Sequence, residues 1–185
     1  MSIKVLFLAG LLFLGACSGE TLQSAVWQPG VPDMFSYGAG GRDLRVVIVG
    51  NPFPQVNETV HRAVTDAMQG NHHGPRTHFT TLPSVTARPA FRVVMMFNPA
   101  RNMNSEALCG TVGNLNPGPR EKRLEILTGF CYRDELQSEV WASILHPPSP
   151  DDESFRNVIA NIMWELIPSQ DKIVDDNNDC RRPTC

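Results

Sequence analysis

Three histidines in one short segment are the side chains of this sequence most suited to bind a metal. His72, His73 and His78 lie close together, and His61 precedes them in a segment of helical periodicity. Neutral imidazole is a common ligand of zinc and copper. However, His72 and His73 are adjacent and point apart, and no two histidines are spaced to share one helix face. We therefore interpret the segment as a solvated loop and expect no cofactor, with weak metal binding as the alternative.

The five cysteines divide into Cys17 near the N-terminus and four in the rest of the chain. Those four, Cys109, Cys131, Cys180 and Cys185, are even in number, which in an exported protein indicates two disulfides. Of the possible pairings we favour Cys109–Cys131 and Cys180–Cys185, because they close the shorter loops. Free thiols that bind metal or act as nucleophiles are the alternative, although no C-x-x-C pattern occurs and no histidine adjoins these cysteines.

Residues 1–16 follow the three-part pattern of an export signal: a lysine, an aliphatic and aromatic run, and small residues. The apolar run is too short to cross a bilayer as a permanent helix. Its end, Leu14-Gly15-Ala16-Cys17, resembles the lipobox of bacterial lipoproteins. The resemblance implies that the leader 1–16 is removed and that Cys17 becomes the acylated (palmitate-type) first residue. Two or more acyl chains make membrane attachment stable.

The residue after Cys17 is Ser18 rather than aspartate. In lipoproteins of enteric bacteria, a residue other than aspartate at this position permits transfer to the outer membrane. The resemblance therefore implies a protein of the bacterial cell envelope that faces the periplasm, with the outer membrane as the favoured site. The alternative is an ordinary secreted protein whose signal peptide contains a cysteine.

Several chemistries have no motif in this sequence. The glycine-rich segment Gly38-Ala39-Gly40-Gly41 precedes a strand instead of following one, and no G-x-x-x-x-G-K-[ST] pattern occurs, so we expect no nucleotide site. The G-x-S-x-G and H-E-x-x-H patterns of hydrolases do not occur either. The formal net charge is −3 and the basic residues form no dense run, which argues against nucleic acid as a partner.

The length of 185 residues suits one folded domain with flanking segments. After the signal peptide 1–16, residues 17–42 are rich in Gly, Pro and Ser, and we interpret them as a lipidated N-terminus and tether, part of which docks on the folded body. Residues 43–168 form the predicted α/β domain, and residues 169–185 form a polar C-terminal tail.

Hydrophobic periodicity predicts the elements of this domain. β-branched or alternating runs indicate strands at 45–50, 77–82, 91–97 and 122–132. Helical spacing of apolar residues indicates helices over 55–69 and from Ser149 to Leu166, the second capped by Ser149 with Pro150 in its first turn. Residues 136–145 fit either a return strand or a helix, and we favour the strand.

This order predicts a two-layer α/β sandwich, with a mixed sheet of about five to six strands and two helices on one face. Its later part, from Thr128-Gly129-Phe130-Cys131 to the helix ending at Pro168, resembles a group of small uncharacterised bacterial envelope lipoproteins. That resemblance includes no catalytic motif and implies no activity.

The favoured function is a membrane-anchored envelope lipoprotein that binds or helps assemble another envelope protein without catalysis. Its expected partners are the membrane, through the lipid anchor, and an envelope protein. One alternative is a small envelope hydrolase whose residues converge from distant positions, with His61, His146 and the carboxylates as candidates. Another alternative is a weak metal or ligand carrier that uses the His72–His78 loop.

Overall fold

A computed structural model describes residue 19 and residues 21–100, 103–118 and 122–173. The leader, the lipobox with Cys17, and the Cys180–Cys185 pair lie outside the described residues, so these assignments stay predictions. Within the described residues, no helix is long and apolar enough to cross a membrane.

The described residues form a six-stranded mixed sheet in the order β1-β6-β5-β4-β2-β3. Strands β1, β6, β5 and β4 pair antiparallel, whereas β4, β2 and β3 pair parallel. The central strand β4 is apolar on both faces, as expected for a strand covered from both sides. The bounds are β1 Thr21–Trp27, β2 Asp43–Val49, β3 His78–Thr80, β4 Phe91–Phe97, β5 Arg123–Tyr132 and β6 Glu135–Leu145.

The sheet is covered on one face by helices α1 Val31–Ala39, α2 Asn57–Met68 and α3 Glu153–Leu166, and a short helical run follows at 170–173. Helix α3 buries a stripe of apolar side chains at helical spacing, which confirms the predicted face. Its N-cap is Asp152, whose carboxylate accepts a hydrogen bond from Ser154 N at 2.9 Å. The predicted cap, Ser149, lies one turn too early because the chain bends at 149–151 before the helix begins.

The α/β fold with a mixed six-stranded sheet agrees with the prediction, and strand pairing settles the alternative left open for residues 136–145. Residues 136–145 belong to strand β6, which forms a hairpin with β5 through Arg133 and Asp134. Arg133 takes a left-handed backbone conformation (φ 53°), which reverses the chain at this turn.

Residues 21–42 belong to the folded domain instead of forming a tether, so the docking that we expected for part of this segment extends along all of it. Strand β1 pairs with β6 along its length, and α1 buries Val31, Phe35 and Ala39 completely. The breakers that suggested a linker lie between elements: Pro29 and Gly30 separate β1 from α1, and Gly40 and Gly41 separate α1 from β2. As a result, three helices cover the sheet instead of the two predicted.

The second face of the sheet is covered in part by the segment that follows β4. A 3-10 helix, Ser105–Cys109, buries Leu108 against β4 and β5. Cys109 and Cys131 are joined by a disulfide with a Cα–Cα distance of 5.5 Å, as predicted. The guanidinium of Arg92 also donates a hydrogen bond to the Cys109 carbonyl. The disulfide and the hydrogen bond from Arg92 therefore attach this segment to the sheet.

Candidate functional site

The start of the folded chain is held against the sheet almost immediately after the predicted anchor. The guanidinium of Arg123, at the start of β5, donates a hydrogen bond from Nη2 to the Gly19 carbonyl at 2.8 Å. The same Nη2 donates to the Ser143 carbonyl at 2.9 Å, and Nε donates to Ser143 Oγ at 2.6 Å. Gly19 is thus fixed beside the end of β6, two residues beyond Cys17.

Among the described residues, strand β1 forms one edge of the sheet, and its single neighbour there is β6. It spans seven residues, contains no charged residue and no proline, and is largely exposed. Ala25 and Trp27 turn toward the helices, and Trp27 Nε1 donates to the Glu165 carbonyl at 2.5 Å. A bulge at Gln23 is the one irregularity of the pairing. Natural edge strands are normally protected by charge, proline, short length or a bulge, and of these devices β1 has the bulge alone.

Two shallow acidic grooves flank the C-terminal end of β1. One, of about 310 Å³, includes Val26 and its cross-strand neighbour Glu139. The other, of about 640 Å³, continues past the strand end along Gln28. Among the described residues, the ionisable side chains that line these grooves are all carboxylates, namely Glu106, Asp134, Glu135 and Glu139. One oxygen of Glu139 is buried and has no hydrogen-bond partner there.

A further cleft lies at the opposite corner of the molecule, where β2 and β3 begin. It has a volume of about 720 Å³ and contains His78 and Asp43, whose Nδ1 and Oδ1 atoms are 2.8 Å apart. Asp43 Oδ2 accepts a further hydrogen bond from Ser84 N at 2.7 Å. The backbone donor of Ser84 and the His78 side chain lower the pKa of Asp43 to about 2. The Asp43 carboxylate therefore orients the His78 imidazole through Nδ1, and the Nε2 atom of the ring takes no part in this hydrogen bond.

The three candidate metal-binding histidines take separate roles in the fold. His72 is buried between Phe35 and Phe79, and its Nδ1 accepts a hydrogen bond from Gly74 N at 3.2 Å. Burial lowers the pKa of His72, so its ring is neutral at pH 7. The ring of His73 instead contacts Trp164 on α3, with 4.7 Å between centroids. No group of three potential metal ligands occurs among the described residues.

The histidines considered for hydrolysis are not brought to the cleft. His61 lies on the outer side of α2 in a small groove with Glu58 and Arg62, and burial lowers its pKa. His146 follows β6, where its ring meets the edge of Phe53 and its Nδ1 lies 3.0 Å from the Pro147 carbonyl. The Asp43–His78 pair was not predicted from sequence, because its members are 35 residues apart and become neighbours only through β2–β3 pairing.

Ser169 and Lys172 form a Ser-x-x-Lys pattern, so our expectation that the sequence contains no such hydrolase pattern was wrong. In β-lactamase-type sites such a lysine faces the serine hydroxyl. Here Lys172 Nζ bonds Glu165 Oε2 at 2.5 Å and lies 5.1 Å from the centroid of the Trp27 ring. Ser169 Oγ accepts a hydrogen bond from the Lys172 backbone N–H. This arrangement caps the last helical turn and does not activate the hydroxyl.

Comparisons with protein families, with curated proteins and with solved structures found no match to this chain.

Proposed function

We propose that this protein is a lipid-anchored module of the bacterial cell envelope that binds another protein at the edge strand β1. The observation that carries the proposal is the seven-residue, uncharged and exposed β1 at the margin of the sheet. An extended segment of a partner can add to such an edge, because the outward backbone N–H and C=O groups of β1 provide a row of hydrogen bonds. Lipidation of Cys17, expected from the lipobox, supplies the anchor.

The acidic grooves beside β1 define the chemistry of the partner. A segment lying along β1 would place its side chains near Glu139 and Glu106, and one oxygen of Glu139 has no hydrogen-bond partner among the described residues. Lysine or arginine side chains satisfy such carboxylates, and arginine does so with two parallel hydrogen bonds. We therefore expect the partner to present an extended segment that contains basic residues.

The test is crosslinking in living cells followed by recovery of the full-length tagged protein, with an unrelated lipid-anchored protein as background. Val26→Lys adds a positive charge to the exposed edge, which hinders strand addition and repels a basic segment. Val85→Lys makes the same change at a fully exposed position on the far side of the sheet. We expect a reproducible partner that is lost with Val26→Lys and retained with Val85→Lys. Equal recovery with both variants would contradict the proposal.

A second candidate function is a small envelope hydrolase, favoured by the Asp43–His78 pair in the cleft where β2 and β3 begin. A carboxylate-oriented histidine is the arrangement of a general base. The nucleophile it would activate must lie within hydrogen-bond reach. The nearby Ser84 hydroxyl instead lies 2.8 Å from Thr86 Oγ1. His78→Ala tests this alternative: loss of hydrolysis across a panel of envelope esters and amides supports it, and an unchanged panel excludes it.

A further inference from the structure

The connection between the predicted lipid anchor and the folded domain is very short. One residue, Ser18, separates Cys17 from Gly19, which Arg123 holds against the sheet. Two Cα–Cα steps of 3.8 Å allow at most about 7–8 Å between Cys17 Cα and Gly19 Cα. A headgroup layer is itself about 5–8 Å thick, half the difference between the full bilayer and its hydrocarbon core. If Cys17 is acylated, this connection is therefore no longer than the headgroup layer is thick, and the domain must contact the membrane surface.

The sheet topology determines which part of the domain is nearest to the anchor. Strand β1 starts at Thr21, β5 starts at Arg123 and β6 ends at Leu145, and these three positions lie at one end of the sheet. We call this the anchor end. Strands β2 and β4 also finish here, because β4 is antiparallel to β5 and parallel to β2.

Exposed apolar side chains occur at the anchor end. Leu145 is 60% exposed. Its side chain packs beside Gly19, since a methyl group on Gly19 would come within 3.2 Å of Leu145 Cγ. Leu22, near the start of β1, and Val56, just before α2, are 39% and 71% exposed. Exposed charges at this end have both signs, Lys122 with Glu58 and Glu153, so contact with lipid does not depend on anionic headgroups.

We infer that the short connection seats the anchor end directly on the membrane surface, with the side chain of Leu145 in contact with lipid. The inference rests on the proposed lipidation of Cys17 and adds the orientation of the domain. Strand β1 then runs away from the bilayer, and its outer edge from Gln23 to Trp27 stays open to a protein partner. The cleft with Asp43 and His78 lies at the opposite end and faces away from the membrane.

The experiment uses the full-length protein, purified from membranes and placed in phosphatidylcholine vesicles. The photoreactive amino acid benzoylphenylalanine replaces Leu145 in one preparation and Val85 in another. Val85 is a matched control: it is fully exposed and apolar, and the adjacent Ser84 contacts Asp43 at the far end of the sheet. Intact mass reports both the acylation of Cys17 and any lipid adduct formed on irradiation. We expect a several-fold higher adduct yield at position 145.

A second variant tests whether the short connection is responsible. Twenty Gly and Ser residues inserted between Ser18 and Gly19 give a coil of roughly 25 Å root-mean-square length, enough to lift the domain off the headgroups. With this insertion, the adduct at position 145 should fall to the level at position 85 while acylation of Cys17 continues.

Each other outcome overturns a defined part of the proposal. Acylated Cys17 with equal adduct yields at positions 145 and 85 overturns the seating and leaves the anchor in place. An adduct at position 145 that persists undiminished after the insertion shows that the short connection is not responsible, and it also overturns the inference. An unacylated Cys17 overturns both the anchor and the seating.

Discussion

At the scale of single residues, hydrogen bonds to Asp43 produce the strongest electrostatic effect in the cleft. The Ser84 backbone N–H and the His78 imidazole both favour the charged carboxylate, and they lower its pKa from 3.8 to about 2. The Asp43 side chain is 18% exposed, so solvent screens part of this interaction. The folded protein thus binds a proton on Asp43 less readily than the unfolded chain does.

This pKa shift predicts a pH-dependent contribution to stability. Because the folded state holds Asp43 charged, the stabilisation is complete above the unfolded pKa of 3.8 and declines as the pH falls toward about 2. Asp43→Asn removes the charge, so the difference in melting temperature between wild type and variant should narrow over this interval. Thermal melts monitored by circular dichroism across the interval provide the measurement. Asp134→Asn, at an 88% exposed turn position, serves as the control. A melting-temperature difference independent of pH would contradict the prediction.

At the scale of elements, α1 shows how a short helix in a breaker-rich segment becomes part of the core. Phe35 is fully buried, and its ring lies 5.7 Å from that of Phe130 and 6.3 Å from that of Phe79. Gly74 makes room for this ring, since a methyl group there would come within 2.4 Å of Phe35 Cδ1. The close fit indicates that α1 and the loop after α2 fold together.

Truncation of Phe35 distinguishes a core helix from a docked linker. Phe35→Ala should lower the free energy of unfolding by about 3–5 kcal/mol, because it removes a buried aromatic ring and leaves a cavity. Ser36→Ala, at the exposed neighbouring position, should change it by less than about 0.5 kcal/mol. Urea unfolding of both variants checks the prediction. Similar small effects of the two substitutions would show that α1 contributes little to the fold.

The segment over the second face depends on its disulfide. Cys109 and Cys131 are 22 residues apart in sequence, and in the chain-entropy model a cross-link of this span stabilises the fold by about 3 kcal/mol. Replacing both cysteines with alanine should lower the free energy of unfolding by about this amount, as measured by urea unfolding without reductant. The strands of the sheet should persist in circular dichroism, because the main core lies on the other face. A loss below about 1 kcal/mol would indicate that packing of Leu108 alone holds the segment.

At the scale of the whole molecule, three features are distributed over different parts of one sheet. Gly19 lies at one end, strand β1 with its acidic grooves forms one edge, and the Asp43–His78 cleft lies at the opposite corner. In the proposed orientation β1 runs away from the membrane, and its outer edge faces sideways, parallel to the membrane surface. If Cys17 is acylated as proposed, this orientation favours a partner that is attached to the same membrane.

The local sequence pattern was sufficient to predict the strands and helices that have a strong hydrophobic periodicity. Strands β2 and β4, helices α2 and α3 and the β5–β6 hairpin were predicted within a few residues, because each buries a regular set of apolar side chains. The Cys109–Cys131 disulfide followed from loop length and is present. The interpretation of Leu14-Gly15-Ala16-Cys17 as a lipobox also depends on local sequence alone, and the acylation of Cys17 stays a prediction.

The tertiary structure decided everything that depends on contacts between distant residues. Strand β1 and helix α1 have weak local signals and many breakers, and they are stabilised by pairing with β6 and by burial of Phe35. The Asp43–His78 pair exists because β2 and β3 align in parallel. The bond from Arg123 to Gly19 joins residues 104 positions apart and removes the tether that composition suggested. Hydrophobic periodicity shows which side chains of one segment can be buried. The order of the strands in the sheet determines which segments come into contact, and this order is not encoded in any single segment.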